Sequence, residues 1–414
     1  MIRAIEFIRD YWQHLPLAVP AIADLRCQVV RLEGRAKSGE SIDVVYAGRQ
    51  RNFAYLTKAI FEDSQVRDRK LTSVFGYKDA AAPWLEHSDL LLVDIGWPYN
   101  KRINRAGAYI EIPDWIEMAV DIDGDWDSLT RRFRRDVRKN DLRRIRRQGY
   151  TQKVTSAKAE LKRFYDEVYA PYIRFVHGAD ANLAARWFVV QQGSKGALIK
   201  VMKDDGLAAA GVVLPAGDVL TSLWMGVPEA RLTDRPEAAI SALYKFFLEY
   251  AIEKGFKSAD FAGTRAFLND GALRFKRKWG GAVHDGFSPS SILLRPLNSK
   301  PQTLALLMDL PMIIRGTAGL ESLILSSDDD TSEETVRATA ARHETAGLGR
   351  RNVVVVSEAA GSGRSIVHES RDGTRIMYVA PELVPECYSD RWLESSASEL
   401  RRPSQPSLEA RHSV

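Results

Sequence analysis

Cysteine is almost missing from this chain of 414 residues: Cys27 and Cys387 stand far apart. They make neither a CxxC metal pattern nor a disulfide framework, which fits a reducing compartment. The seven histidines do not cluster with acidic residues at ligand spacing, so no metal is expected. Long apolar runs are lacking too. The longest, 303–325, is interrupted by Asp309, Pro311, Arg315 and Glu321 and reads as a helix with a break, not a membrane span. The first residues alternate charge with apolar side chains (Arg3, Glu6, Arg9, Asp10), a pattern without a secretory core. A cytoplasmic protein with no stable membrane span is the expectation. Two catalytic signatures are also absent. Gly361-Ser362-Gly363-Arg364-Ser365 lacks the apolar helix that follows a nucleophile elbow, and lacks the Gly-Lys-Ser/Thr of a phosphate loop.

What is present is an ordinary globular composition, 45% hydrophobic and 9% aromatic, at a length that calls for two domains and a tail. The charge is unevenly spread. The formal net charge is +5, yet 131–147 alone holds ten basic residues against Asp136 and Asp141. The basicity therefore belongs to one element. A solvated charged helix is one reading of it. The other is a contact surface for phosphate: a coenzyme A pyrophosphate, a tRNA backbone, an anionic lipid or a nucleotide sugar. Phe133 is its lone aromatic, which argues against base stacking on single strands. Leu129, Phe133 and Val137 share a helical face from which Leu142 and Ile145 rotate away, so a bend near Asn140-Asp141 is expected.

The central part reads most clearly. Three short apolar segments, 197–203, 207–214 and 219–226, are separated by Asp205-Gly206 and by Pro215-Ala216-Gly217-Asp218, which predicts an antiparallel meander. A helix follows, with Ile240, Leu243, Tyr244, Phe247, Leu248 and Ala251 on one face and Gly255 at its end. A strand from Ser258 to Phe261 and a terminal helix or turn over 273–280 complete the order, and 161–175 predicts a helix ahead of the meander. The first third repeats this grammar weakly, with strands at 42–47, 71–76 and 89–96 and a helix at 52–61. That order is α+β, with helices flanking mixed, largely antiparallel sheets. Beyond 326 an acidic linker, a small hairpin joining 353–357 to 375–379, and a disordered tail are expected.

The segment Asp260-Phe261-Ala262-Gly263, followed by Leu273-Arg274-Phe275-Lys276-Arg277-Lys278-Trp279-Gly280, resembles the closing part of FemAB-like and BioF2-like acetyltransferase domains of the GNAT superfamily. In that group a strand ending in an Asp-Phe-Gly-like turn precedes an F-K-x-x-[FW]-G motif. Ala262 interrupts the first pattern here. The basic helix and the strand end Trp224-Met225-Gly226 match in general form, and the resemblance runs from about Asp121 to Ser290, with a looser match over the first third.

The resemblance implies two tandem GNAT-like subdomains, with boundaries expected at 1–125, 126–150 for the basic element, 151–295, 296–325 as a helical extension, and 326–414. It implies transfer of an acyl group from acyl-CoA, acetyl-CoA first, to an amine of a small-molecule, cell-envelope or polysaccharide-type acceptor. Aminoacyl-tRNA is the alternative donor, and a non-catalytic protein that binds nucleic acid or anionic membrane through the basic helix is the rival class. Lys276 would lie beside the acyl donor or developing oxyanion, or else run along its helix while Phe275 and Trp279 form core. Asp260 and His177 are base candidates, each with a structural alternative as a cap. The glycine-rich pyrophosphate loop of ordinary members is replaced by 231–238, so Arg231 and Arg235, with Arg274 and Trp224, would have to hold the donor. Arg138, Arg143, Arg174 and Arg265 are the candidates for acceptor or tRNA contact.

Overall fold

The computed structural model describes residues 25–389, apart from 50–51, 97–98, 179–180, 182, 229–236, 287–289, 328–332, 359–364 and 370–372. In chain order the strands begin with β1 (Arg26–Ala36), β2 (Ser41–Gly48), β3 (Phe61–Ser73), β4 (Leu90–Asp94), β5 (Ile110–Pro113) and β6 (Ile116–Asp121). They continue with β7 (Thr151–Thr155), β8 (Ala197–Lys203), β9 (Gly206–Ala216), β10 (Val219–Gly226), β11 (Ser258–Thr264) and β12 (Ala282–Asp285). The last are β13 (Ser291–Pro296), β14 (Met312–Gly316), β15 (Gly319–Ser327), β16 (Arg350–Val356), β17 (Ser365–Glu369) and β18 (Thr374–Val379). They form three sheets in the orders β3-β1-β2-β4-β13-β5, β12-β6-β11-β10-β9-β8-β7 and β14-β15-β16-β18-β17. The class is α+β, with mixed sheets flanked by helices.

The meander is present as read. Asp204 and Asp205 both adopt positive φ (48° and 61°), so the β8–β9 turn closes on Lys203↔Gly206, one residue earlier than Asp205-Gly206 suggested. The Glu237–Glu253 helix then returns the chain to β11, parallel to β10. The first two sheets exchange strands across the boundaries expected at 125 and 295. β6, early in the chain, pairs with β11 and β12 of the second sheet, while β13, late in the chain, sits between β4 and β5 of the first. Phe267 forms an antiparallel bridge with Met312, and one apolar core runs through all three sheets.

The structure corrects the reading after residue 296. The stretch 303–325 is a helix (Pro301–Asp309) followed by β14 and β15, because Met312, Ile313, Ile314 and Leu323 are buried sheet residues whose apolar run does not distinguish strand from helix. The expected hairpin fails as well. β16 and β18 pair in parallel, Arg351 opposite Thr374, and β17 is the antiparallel neighbour of β18 on its other side. The expected tail beyond Ser395 and most of the acidic run lie outside the described residues.

The basic element bends where its pattern breaks. Val137–Asp141 is a π-helical turn, and its wider pitch carries the buried face from Phe133 and Val137 on to Ile145.

Candidate active site

β11 lies between β6 and β10. Its register against β6 jumps from Asp260↔Ala119 to Gly263↔Glu117, so Phe261 and Ala262 bulge out of the ladder. Ala262 has φ 60°, a left-handed conformation that costs an alanine about 1–2 kcal/mol. Such a residue persists where its surroundings hold it. Two side chains do so. The Asp260 carboxylate accepts from the Ala262 N–H at 2.7 Å, and the Lys276 ammonium donates to the carbonyls of Ala262 (2.9 Å) and Gly263 (2.7 Å).

Lys276 reaches the bulge because of how its helix begins. Asp270 caps the Gly271–Lys278 helix, its Oδ1 accepting from the amides of Ala272 and Leu273. Its Oδ1 also accepts from the Thr264 hydroxyl at 3.3 Å, and its Oδ2 from the Tyr55 hydroxyl at 3.2 Å, which fixes the cap to β11 and to the helix Phe53–Ile60. Leu273 and Lys276, three apart, then share the buried face. Phe275 and Trp279 pack against Tyr244 and Phe133, with ring centroids 4.9 and 5.3 Å apart, and Gly280 ends the helix at φ 82°.

Burial pushes the Lys276 ammonium down to about 8, against the pull of Asp260, Asp270 and Glu117. Burial likewise raises the Asp260 carboxyl above the usual carboxylate range, against the Ala262 amide and the charges of His284 and Lys276. Glu117 and His284 stand directly opposite one another on β6 and β12, with Nδ1 and Oε2 3.8 Å apart. Asp260, Glu117 and His284 each bring one polar atom within 4.8 Å of the others. The arrangement is a half-buried acid backed by a surface imidazole, suited to taking a proton and passing it to solvent. The same three donors could hold a small cation, although the Lys276 ammonium beside them already supplies positive charge. Neither Glu117 nor His284 was legible beforehand, since only the pairing of β6 with both β11 and β12 joins them to Asp260.

The structure brings Lys276 and Asp260 together and leaves the other expected site residues elsewhere. Lys276 is 6% exposed with two of its N–H groups on backbone carbonyls, so it holds the bulge and does not open onto a substrate. Arg265 is not a free substrate arginine. It pairs with the buried Asp114, donates to Asn52 Oδ1 at 2.7 Å, and lies between the rings of Tyr55 and Trp115. Trp224 is half-buried beside a register shift in β10, edge-on to Phe188 at 5.8 Å. Arg138, Arg143 and Arg174 are exposed. Arg274 faces a cleft on the other side of the Gly271–Lys278 helix from Lys276. His177 is the last residue of the Ala170–His177 helix and its side chain lies outside the described residues, as do Arg231 and Arg235.

No protein-family model and no curated protein sequence matches the chain. Solved structures similar to it include FemX, with a TM-score of 0.34 and 14% identity over 68% of this chain and 90% of that one. The C-terminal domain of a putative lysylphosphatidylglycerol synthetase from Agrobacterium fabrum gives 0.32 and 15%, over 67% and 86% of the two chains. A GCN5-related N-acetyltransferase from Sphaerobacter thermophilus gives 0.30 and 11%, over 63% and 78%. Among the described residues no helix is long and apolar enough to cross a membrane.

Proposed function

We propose that this chain is an acyltransferase that moves an acyl group from acyl-CoA, acetyl-CoA first, to an amine of a cell-envelope or polysaccharide-type acceptor. The observation that supports it is the bulged turn at Ala262, held by Lys276 and carrying a half-buried Asp260. In this reading Asp260 takes the proton of the acceptor ammonium and passes it towards His284. The freed amine attacks the thioester carbonyl, the C–S bond breaks, and coenzyme A leaves as a thiol while the amide forms. Lys276 acts as a positioning residue: it fixes the turn that carries Asp260 and does not itself touch the acyl group. The donor's pyrophosphate is assigned to Arg231 and Arg235, and His177 is kept as a second base candidate. A cytoplasmic location fits a CoA donor.

One observation favours aminoacyl-tRNA as donor instead: Arg138, Lys139, Arg143, Arg146 and Arg147 are all exposed along one element. Thermal shift with acetyl-CoA and longer acyl-CoAs, paired with filter binding of bulk tRNA at two salt concentrations, separates the readings. A rise in unfolding temperature with a CoA thioester is the expected result. Salt-sensitive tRNA retention without that rise would transfer the proposal to aminoacyl transfer, or to a binding protein if no aminoacyl group is moved.

A further inference from the structure

The face of the Gly271–Lys278 helix turned away from Asp260 borders a cleft of about 580 Å³. Arg134, Arg274, Arg277, Lys278 and Arg342 line it, and Asp136 is the one carboxylate among its described lining residues. Lys278 is neutralised from outside the cleft by Asp141 at 2.7 Å. That leaves four guanidinium groups facing one carboxylate.

Three of the four arginines have a structural account taken singly, the Arg134 guanidinium by donating to the Glu344 carbonyl at 3.2 Å. Arg277 and Arg342 lie in the last turns of their helices, Gly271–Lys278 and Glu333–Arg342, where a cation suits the helix dipole. The dipole does not account for both helix ends delivering their cations into one cleft, nor for Arg134 and Arg274 joining them. The helix start does not explain it either, since Asp270 already caps those amides. The framework is held: the Arg134 amide donates to the Lys278 carbonyl at 2.9 Å, and Arg277 donates to the buried Thr345 hydroxyl at 3.3 Å. Within it the Arg277 Nε and the His343 Nδ1 are buried without a hydrogen-bond partner among the described residues. The crowding is felt electrostatically. Burial, then Arg134 and Arg274, bring the Arg277 guanidinium down to about 10, and burial with the arginines around it brings His343 down to about 4.

We propose that this cleft binds a small ligand carrying a diphosphate, gripped by Arg134, Arg274, Arg277 and Arg342. Guanidinium forks match phosphate oxygens two at a time, and four of them exceed what a single phosphate engages. The volume is that of a small-molecule site, not of a groove for a polymer. Phe275 lies on the same wall, its ring covered by the Lys278 ammonium at 4.6 Å. The site stands independently of the acyl-transfer reading.

Calorimetric titration of the full chain with pyrophosphate, inorganic phosphate and sulfate, at matched ionic strength, tests it. The expected result is saturable 1:1 pyrophosphate binding, at least about tenfold tighter than phosphate or sulfate. Arg274→Ala and Arg342→Ala, both at exposed positions, each weaken it about tenfold while the unfolding temperature in ligand-free buffer stays unchanged. Arg138→Ala, outside the cleft, leaves it intact. Absence of saturable binding overturns the proposal, and so does binding that ignores Arg274→Ala and Arg342→Ala, or that Arg138→Ala weakens equally. Retention of bulk tRNA that Arg274→Ala abolishes and pyrophosphate does not displace would also overturn it, in favour of a polymer contact.

Discussion

The Lys276 ammonium donates to the carbonyl of Ala262 at 2.9 Å, and Ala262 carries a left-handed backbone within β11. A buried cation thus holds a strained turn two residues past the acid that it helps to place.

The strain itself is measurable. Ala262→Gly removes the cost of a Cβ at φ 60° and is expected to stabilise the fold by about 1 kcal/mol. Ala262→Val, with a branched side chain in the same conformation, is expected to lose more than that. Urea unfolding of the pair measures both, and an Ala262→Gly variant that is no more stable would mean that the turn is not strained.

Replacing the cation tests the clamp. Lys276→Met leaves two carbonyl oxygens buried beside Asp260, at about 1–3 kcal/mol for each unsatisfied group. A loss of about 2–6 kcal/mol in denaturant unfolding is expected; a loss within experimental error would contradict the hydrogen bonds described.

The pH dependence has a definite sign. Burial lowers the Lys276 pKa to about 8 from its ordinary 10.5, so between those values the unfolded chain holds the extra proton. Its contribution to stability therefore rises with pH across that window, and below it the buried charge is a constant cost. Asp260 acts oppositely: its pKa is raised, so the folded state keeps the proton longer and this group's contribution falls as pH climbs through the raised value. Unfolding free energies on either side of the Lys276 window should show a rise in the parent chain and a flatter line in Lys276→Met.

Arg265 gives a prediction about the joint between the halves. Its partner Asp114 is 1% exposed, and Asn52, Tyr55 and Trp115 complete the clamp. Arg265→Ala breaks a buried ion pair, so a loss of about 3–5 kcal/mol is expected in chemical denaturation. A change of a few tenths would restore Arg265 as a free substrate contact.

How far the sequence was legible follows from how local each signal is. The β8–β9–β10 meander combined apolar runs with turn residues, and Gly255 ends its helix at φ 72° as that pattern implied. β3 was underread because Glu62-Asp63-Ser64 and Arg67-Asp68-Arg69-Lys70 look like loop. They are the exposed charges of an edge strand, the usual guard against edge-to-edge pairing. The third sheet was read only in part: strands at 353–357 and 375–379 were expected, but β16 pairs with β15 and β18 in parallel, so no tight turn marks the sheet.

The site divides in the same way. Asp260 and Lys276 were found through a motif, while Glu117 and His284 join them only through strand pairing across more than a hundred positions. The basic run showed where charge gathers, and not that Arg134 would meet Arg277 and Arg342 in one cleft.

The most direct test of the account is acceptor-dependent release of coenzyme A thiol from acetyl-CoA, measured with a panel of amine acceptors for the parent chain and for Asp260→Asn. The account predicts release by the parent and a fall of about 10²- to 10⁴-fold in the variant, with the unfolding temperature retained. Equal release by the two, or no acceptor-dependent release from any acyl-CoA, would contradict it.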